Sequence, residues 1–160
     1  MDLYILRHAW AVDRDSLDDA LRPLSDDGRK RFAEMARRLV AGGAAPELIA
    51  TSPLTRCVET ANLLADAAGG VDIVELDSLR SGGDAKALWQ WTVRESREFK
   101  QIAWVGHAPD VELWTAALIG DAGGTIRLAK GAAAAIRFDD PPKLGEGQLQ
   151  WLATAKLLGV

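Results

Sequence analysis

Each of the chain's two histidines closes a short apolar run that reads as a buried strand. His8 ends Leu3-Tyr4-Ile5-Leu6-Arg7-His8, and His107 ends Ile102-Ala103-Trp104-Val105-Gly106-His107. Residues apolar at successive rather than alternate positions suit a strand covered on both faces of a sheet. Such a sheet needs helices above and below it, and the segments between the runs supply them. In an α/β fold, ligands bind beyond the carboxyl ends of the strands. Both imidazoles fall there.

Elements alternate strand and helix along the chain. A helix is predicted from Ser25 as N-cap to Gly42-Gly43, with Phe32, Met35, Ala36, Leu39 and Val40 at helical spacing on one face. Leu48-Ile49-Ala50-Thr51 reads as a second short strand. Ser52 is expected to cap the next helix with Pro53 at its first position, where a missing N–H costs nothing. Leu54, Cys57, Val58, Ala61 and Leu64 form the apolar stripe of that helix, and Gly69-Gly70 end it. Val71 to Leu76 gives a third strand, and a Gly82-Gly83 loop leads to a helix carrying Leu88, Trp89 and Thr92. The strand ending at Gly106 precedes a helix from Pro109 to Leu118, and two strands follow, Ala132 to Phe138 and Gln148 to Ala153. The expected architecture is three-layer α/β, a mostly parallel central sheet with helices on both faces. A single domain over residues 1–160 is long enough to bury its own core.

Composition removes several classes of function. A net charge of −4 leaves no basic field of the kind that nonspecific nucleic-acid binding uses. No apolar run approaches the ~20 residues of a membrane span, and Asp2 and Arg7 bracket too few apolar residues for a signal peptide. Cys57 is the single cysteine, so an intramolecular disulfide is impossible and a reducing compartment is expected. Two histidines and one cysteine offer no zinc-ligand cluster. The expectation is a cytoplasmic protein without nucleic-acid or membrane partners and without a cofactor or metal.

Three segments converge on one sheet edge under this topology. Arg7-His8 follows the first strand: a neutral imidazole is nucleophilic near pH 7, and the guanidinium beside it matches phosphate oxygens. Ser52-Pro53-Leu54-Thr55-Arg56 brings a helix N-terminus, with unpaired N–H groups and partial positive charge, and Arg56 reaches back over its mouth. Gly106-His107-Ala108-Pro109 adds a second imidazole as phosphate donor. Arg22, before a proline and a helix cap, is open to two readings, a structural ion pair or a substrate contact. Ser52 reads first as a cap and second as a phosphate contact. Trp10 reads as packed or half-buried rather than pocket-lining, and Cys57 as core.

Leu6-Arg7-His8-Ala9, Arg22-Pro23-Leu24-Ser25 with Gly28, Ser52-Pro53 with Arg56 and Glu59-Thr60-Ala61, and Gly106-His107-Ala108-Pro109 stand in a specific order and spacing. Together they resemble the histidine phosphatase superfamily, with its phosphoglycerate-mutase-like fold, and within it the small SixA-type phosphohistidine phosphatases. The resemblance runs from Leu3 to about Leu118. It implies that His8 is a nucleophile transiently phosphorylated, that Arg7, Arg56 and His107 hold the phosphoryl group, and that no metal is needed. Arg22 and Ser52 join the substrate-binding set. The implied substrate is a phosphohistidine, on a protein or a small mimic.

Two departures from the family pattern stand out. Ala9 replaces the commoner glycine after the nucleophile, so an ordinary backbone is expected there. Ser78, in Leu76-Asp77-Ser78-Leu79, stands where many relatives carry a proton-donating glutamate. Asp13, Asp15, Asp18 and Asp77 remain as substitute acids. With only a loop and one helix between Leu76 and Lys100, the pocket is expected to be shallow and open to a protein surface. Two rival readings stand beside this one: a phosphomonoesterase or mutase for a small metabolite, and a phosphate-binding module without turnover.

Overall fold

The computed structural model describes residues 1–13 and 18–160. In chain order the elements are β1 (Asp2–Arg7), α1 (Asp26–Ala41), β2 (Leu48–Thr51), α2 (Thr55–Ala67), β3 (Asp72–Glu75), α3 (Ala85–Glu95), β4 (Gln101–Gly106), α4 (Asp110–Leu118), β5 (Ala133–Arg137) and β6 (Gln148–Ala153). Short 3₁₀ turns at Asp19–Leu21 and Asp77–Leu79 precede α1 and α3.

The six strands lie in the order β3-β2-β4-β1-β5-β6. The first four run parallel, and β5 pairs antiparallel with β1 and with β6. Side chains of β1 alternate between two cores. Tyr4 and Leu6 pack with Phe32, Met35, Cys57 and Ala61 of α1 and α2. Leu3 and Ile5 pack with Leu88, Val111 and Leu118 of α3 and α4. This is the expected three-layer α/β architecture, with a mostly parallel sheet between two helix layers.

Ser25 caps α1, its hydroxyl accepting from the Gly28 N–H at 3.0 Å. Gly28 cannot carry a side chain, because a Cβ there would sit 2.2 Å from the Trp10 carbonyl oxygen. The chain after β1 is thereby held close against the start of α1. β3 is shorter than expected: the edge strand pairs only over Asp72–Glu75, and Val71 packs on the core outside the ladder.

The start of α2 also differs from expectation. Its N-cap is Leu54, with no side-chain cap bond, and Ser52 lies outside the helix. The Ser52 N–H instead continues the β2–β4 ladder by donating to the Val105 carbonyl at 3.0 Å. Pro53 and Leu54 form the turn between strand and helix, which moves the start of α2 beyond the reach of Ser52 as its cap residue. α4 opens with Pro109 as its N-cap residue.

Candidate active site

Arg7 and His8 leave the end of β1 under several backbone restraints. The Arg7 and His8 N–H groups donate to the carbonyls of Ala132 and Gly106, at 3.1 and 3.0 Å. The Ala9 N–H donates to Thr60 Oγ1 at 3.1 Å, and that hydroxyl donates to the Arg56 carbonyl at 2.6 Å. Thr60 thus ties the segment to α2. Ala9 is buried and has no positive φ, as expected.

His8 is 8% exposed, and its Nδ1 lies 2.8 Å from the Ala9 carbonyl oxygen. A carbonyl only accepts, so Nδ1 carries the proton and Nε2 keeps a lone pair. Burial pulls the pKa of His8 from 6.5 down to about 3; the bond to Ala9 opposes the shift, while His107, Arg56 and Arg7 add to it. The ring is neutral at pH 7. It is a nucleophile held in one tautomer.

His107, 3% exposed, lies with its ring centroid 5.3 Å from that of His8. Its Nδ1 is 3.3 Å from Arg56 Nη2, and its Nε2 is 2.9 Å from Ser52 Oγ. Guanidinium can only donate, so Nδ1 accepts and Nε2 donates to the serine. Burial, and then the charge of Arg56, lower the pKa of His107 to about 4. Ser52 therefore orients His107 rather than capping α2. Cys57 is core as expected, with its thiol pushed up to about 12 by burial, but its Sγ also lies 3.4 Å from His107 Nε2.

Arg56 sits in the first turn of α2 with its side chain 5% exposed. Its Nη1 donates to the Asp19 carbonyl at 2.7 Å, and its Nη2 to Asp19 Oδ2 at 3.1 Å. Asp19 Oδ1 is 3.0 Å from Arg22 Nη2, and Arg22 Nη1 donates to the Val12 carbonyl at 3.1 Å. Arg7 Nη1 donates to the Leu128 carbonyl at 2.9 Å. In all three arginines Nε is buried without a hydrogen-bond partner among the described residues. A phosphoryl oxygen suits a guanidinium better than any neutral group.

The structure thus brings His8, His107, Arg56 and Ser52 into one chain of contacts, and links Arg22 to Arg56 through Asp19. Arg22 makes the structural ion pair, with its Nε left over. Asp19 was not anticipated. Its one sequence signal is position: three residues before Arg22, in a turn that puts the two side chains together. The other carboxylates are less central. Asp18 caps the 3₁₀ turn by accepting from the Ala20 N–H, Asp77 pairs with Arg80 at 2.7 Å, and Asp13 is exposed. Asp15 lies outside the described residues. The Asp19–Leu21 turn packs on the start of α2 through Arg56 and Thr55, and both imidazoles are nearly buried.

Two neutral imidazoles and the guanidiniums of Arg7, Arg22 and Arg56 are gathered on one side of an α/β scaffold, a set whose chemistry suits phosphoryl oxygens. The family model described as histidine phosphatase superfamily (branch 1) matches residues 3–118, and the chain belongs to that superfamily. An uncharacterized protein of Picosynechococcus sp. is 36% identical over 140 residues, covering 86% of this chain and 85% of its own. Among solved structures, the protein histidine phosphatase SixA complexed with tungstate superposes with a TM-score of 0.87 at 24% identity, covering 99% of each chain. The alpha-ribazole phosphatase of Shigella flexneri superposes with a TM-score of 0.71 at 18% identity, covering 97% of each. The fold is the phosphoglycerate-mutase-like fold expected from the motifs.

Proposed function

We propose that this protein is a phosphohistidine phosphatase that works through a covalent phosphoenzyme on His8. One observation carries the reading: a neutral imidazole with its lone pair fixed on Nε2 packs against a second imidazole that is itself bonded to the buried Arg56 guanidinium. In the first step His8 Nε2 forms a bond to phosphorus as the bond from phosphorus to the substrate nitrogen breaks. That nitrogen keeps the bonding pair, and the ring leaves as neutral imidazole because its other nitrogen took a proton from solvent beforehand. In the second step water forms the new P–O bond, the bond to His8 breaks, and inorganic phosphate departs with His8 neutral again.

Arg7, Arg56 and His107 hold the transferring group, and Arg22 and Ser52 support them. A loose phosphoryl-transfer transition state spreads charge over three equatorial oxygens, so fixed donors lower the barrier without a metal ion. The preference for a P–N bond follows from the leaving group. Alkoxide has a conjugate acid about as weak as water, pKa about 15.7, and needs a proton donor during cleavage. Imidazole, with a pKa of about 6.5, does not. Ser78 cannot act as that donor, and Asp18 and Asp77 are engaged elsewhere.

The alternative is a phosphomonoesterase or mutase for a small metabolite, and the likeness to the alpha-ribazole phosphatase fold keeps it in view. The test is kcat/KM for phosphohistidine, an aryl phosphate and an alkyl phosphate. The reading expects that order of decreasing activity. Equal rates on the alkyl phosphate and phosphohistidine favour the metabolite enzyme.

A further inference from the structure

The loop from Leu128 to Ala132 is the back wall of the nucleophile segment. Its Gly131 N–H is shared between the carbonyls of Arg7 and His8, at 3.2 and 3.1 Å. Its Ala132 carbonyl accepts from the Arg7 N–H, and its Leu128 carbonyl accepts from Arg7 Nη1 at 2.9 Å. Gly131 has φ +71, and a Cβ there would stand 3.0 Å from the Trp10 ring, so the close approach depends on glycine. The loop contains no helix or strand of its own. No backbone–backbone bond among the described residues holds the Leu128 N–H or carbonyl, so side chains anchor this residue.

Glu112 is one of these anchors. This residue lies in the first turn of α4, the helix that begins three residues after His107, and its Oε1 accepts from the Leu128 N–H at 2.9 Å. The α4 backbone is itself tied to the second imidazole, since the Val111 N–H donates to the His107 carbonyl at 3.0 Å. A continuous path runs from His107 through α4 and the Glu112 carboxylate to Leu128 and the Arg7 guanidinium. We infer that Glu112 is a positioning residue for catalysis: its carboxylate anchors Leu128 at the N–H, and the carbonyl on the other side of the same Cα aims Arg7 at the phosphoryl group beside His107. Glu112 touches neither substrate nor reacting atoms. It acts through Arg7, so the inference rests on Arg7 being a phosphate ligand.

Glutamine keeps an acceptor at the same reach, alanine removes it, and aspartate withdraws it by one methylene. An ångström of misplacement at a phosphoryl donor costs on the order of tenfold to 10²-fold in rate. Glu112→Ala and Glu112→Asp are therefore expected to lower kcat/KM and weaken tungstate binding by about that range, while Glu112→Gln stays within about threefold of the parent.

The deciding experiment is a double-mutant cycle on the tungstate dissociation constant, measured by titration calorimetry for the parent, Arg7→Ala, Glu112→Ala and the double variant. Coupling through Arg7 predicts that Glu112→Ala costs less than about twofold once Arg7 is gone. If Glu112→Ala fails to fold, the same cycle is run with Glu112→Asp. An equal cost in both backgrounds, or a glutamine variant as poor as the alanine one, overturns the positioning role. If Arg7→Ala itself leaves tungstate binding unchanged, the phosphate-site reading fails instead.

Discussion

The guanidinium of Arg56 donates to Nδ1 of His107 across 3.3 Å, so the second imidazole is held neutral with its remaining N–H on Nε2. One arginine thereby both contributes charge to the site and chooses the tautomer of its neighbour. Arg56→Ala is expected to lower kcat/KM by on the order of 10²-fold or more, the usual cost of one transition-state donor. Arg56→Lys should recover only part of this, because a point charge cannot bond the Asp19 carbonyl, the Asp19 carboxylate and His107 together. Steady-state kinetics of the two variants check it; a fully active lysine variant refutes the geometric role.

Asp19 gives a prediction of opposite sign. Its carboxylate pairs with Arg56 and Arg22, so an incoming phosphoryl group competes with it for both guanidiniums. The pair is part-exposed, and its worth is correspondingly small. Asp19→Asn should tighten inorganic phosphate or tungstate by roughly two- to fivefold. Weaker binding in that variant would mean that the carboxylate orders the arginines more than it opposes the ligand.

Much of this site was legible in the sequence because local chemistry specifies it. Arg7-His8 and His107 stand where buried apolar strands run out, and β2 was read to the residue because its run is bounded by Glu47 and Ser52. Ser52 misled for the same local reason: a serine before a proline has the form of a helix cap. What gives it another role is a ladder bond to Val105 and a contact with His107, 55 residues away. Asp19 lies in an acid-rich stretch without periodicity, and only the folded chain singles it out by setting it against Arg56. The span of β3 depended on pairing at a sheet edge, which apolar residues at its two ends do not determine.

The two lowered histidine pKa values carry a pH signature. Both groups bind protons near pH 6.5 when unfolded, but only near 3 (His8) and 4 (His107) when folded. As pH falls below about 6.5 the unfolded chain takes up protons that the folded chain refuses, and stability declines toward pH 4. Thermal melts should show this loss, and His107→Gln should flatten it. The acid limb of kcat/KM, corrected for the substrate's own ionisation, should likewise fall below pH 5. A limb at pH 6.5 would mean that His8 is not buried as neutral imidazole.

The Ser78 position tests the leaving-group argument. Its turn abuts the end of β4, where a Cβ on Gly106 would lie 3.5 Å from Leu79 Cδ2. Ser78→Glu should raise kcat/KM for alkyl phosphates by up to roughly 10²-fold through general-acid catalysis, and change phosphohistidine cleavage little. Activity of the parent should persist in chelator. Its loss there would require a metal in the reaction.

Transfer of the phosphoryl group to His8 Nε2 can be tested by trapping it. Labelled phosphohistidine is mixed rapidly with enzyme, the reaction is stopped in base, and the protein is digested for mass spectrometry. A base-stable, acid-labile phosphoryl group is expected on His8 of the parent and none on His8→Ala. Label retained by His8→Ala, or label on any other residue of the parent, would contradict transfer to His8.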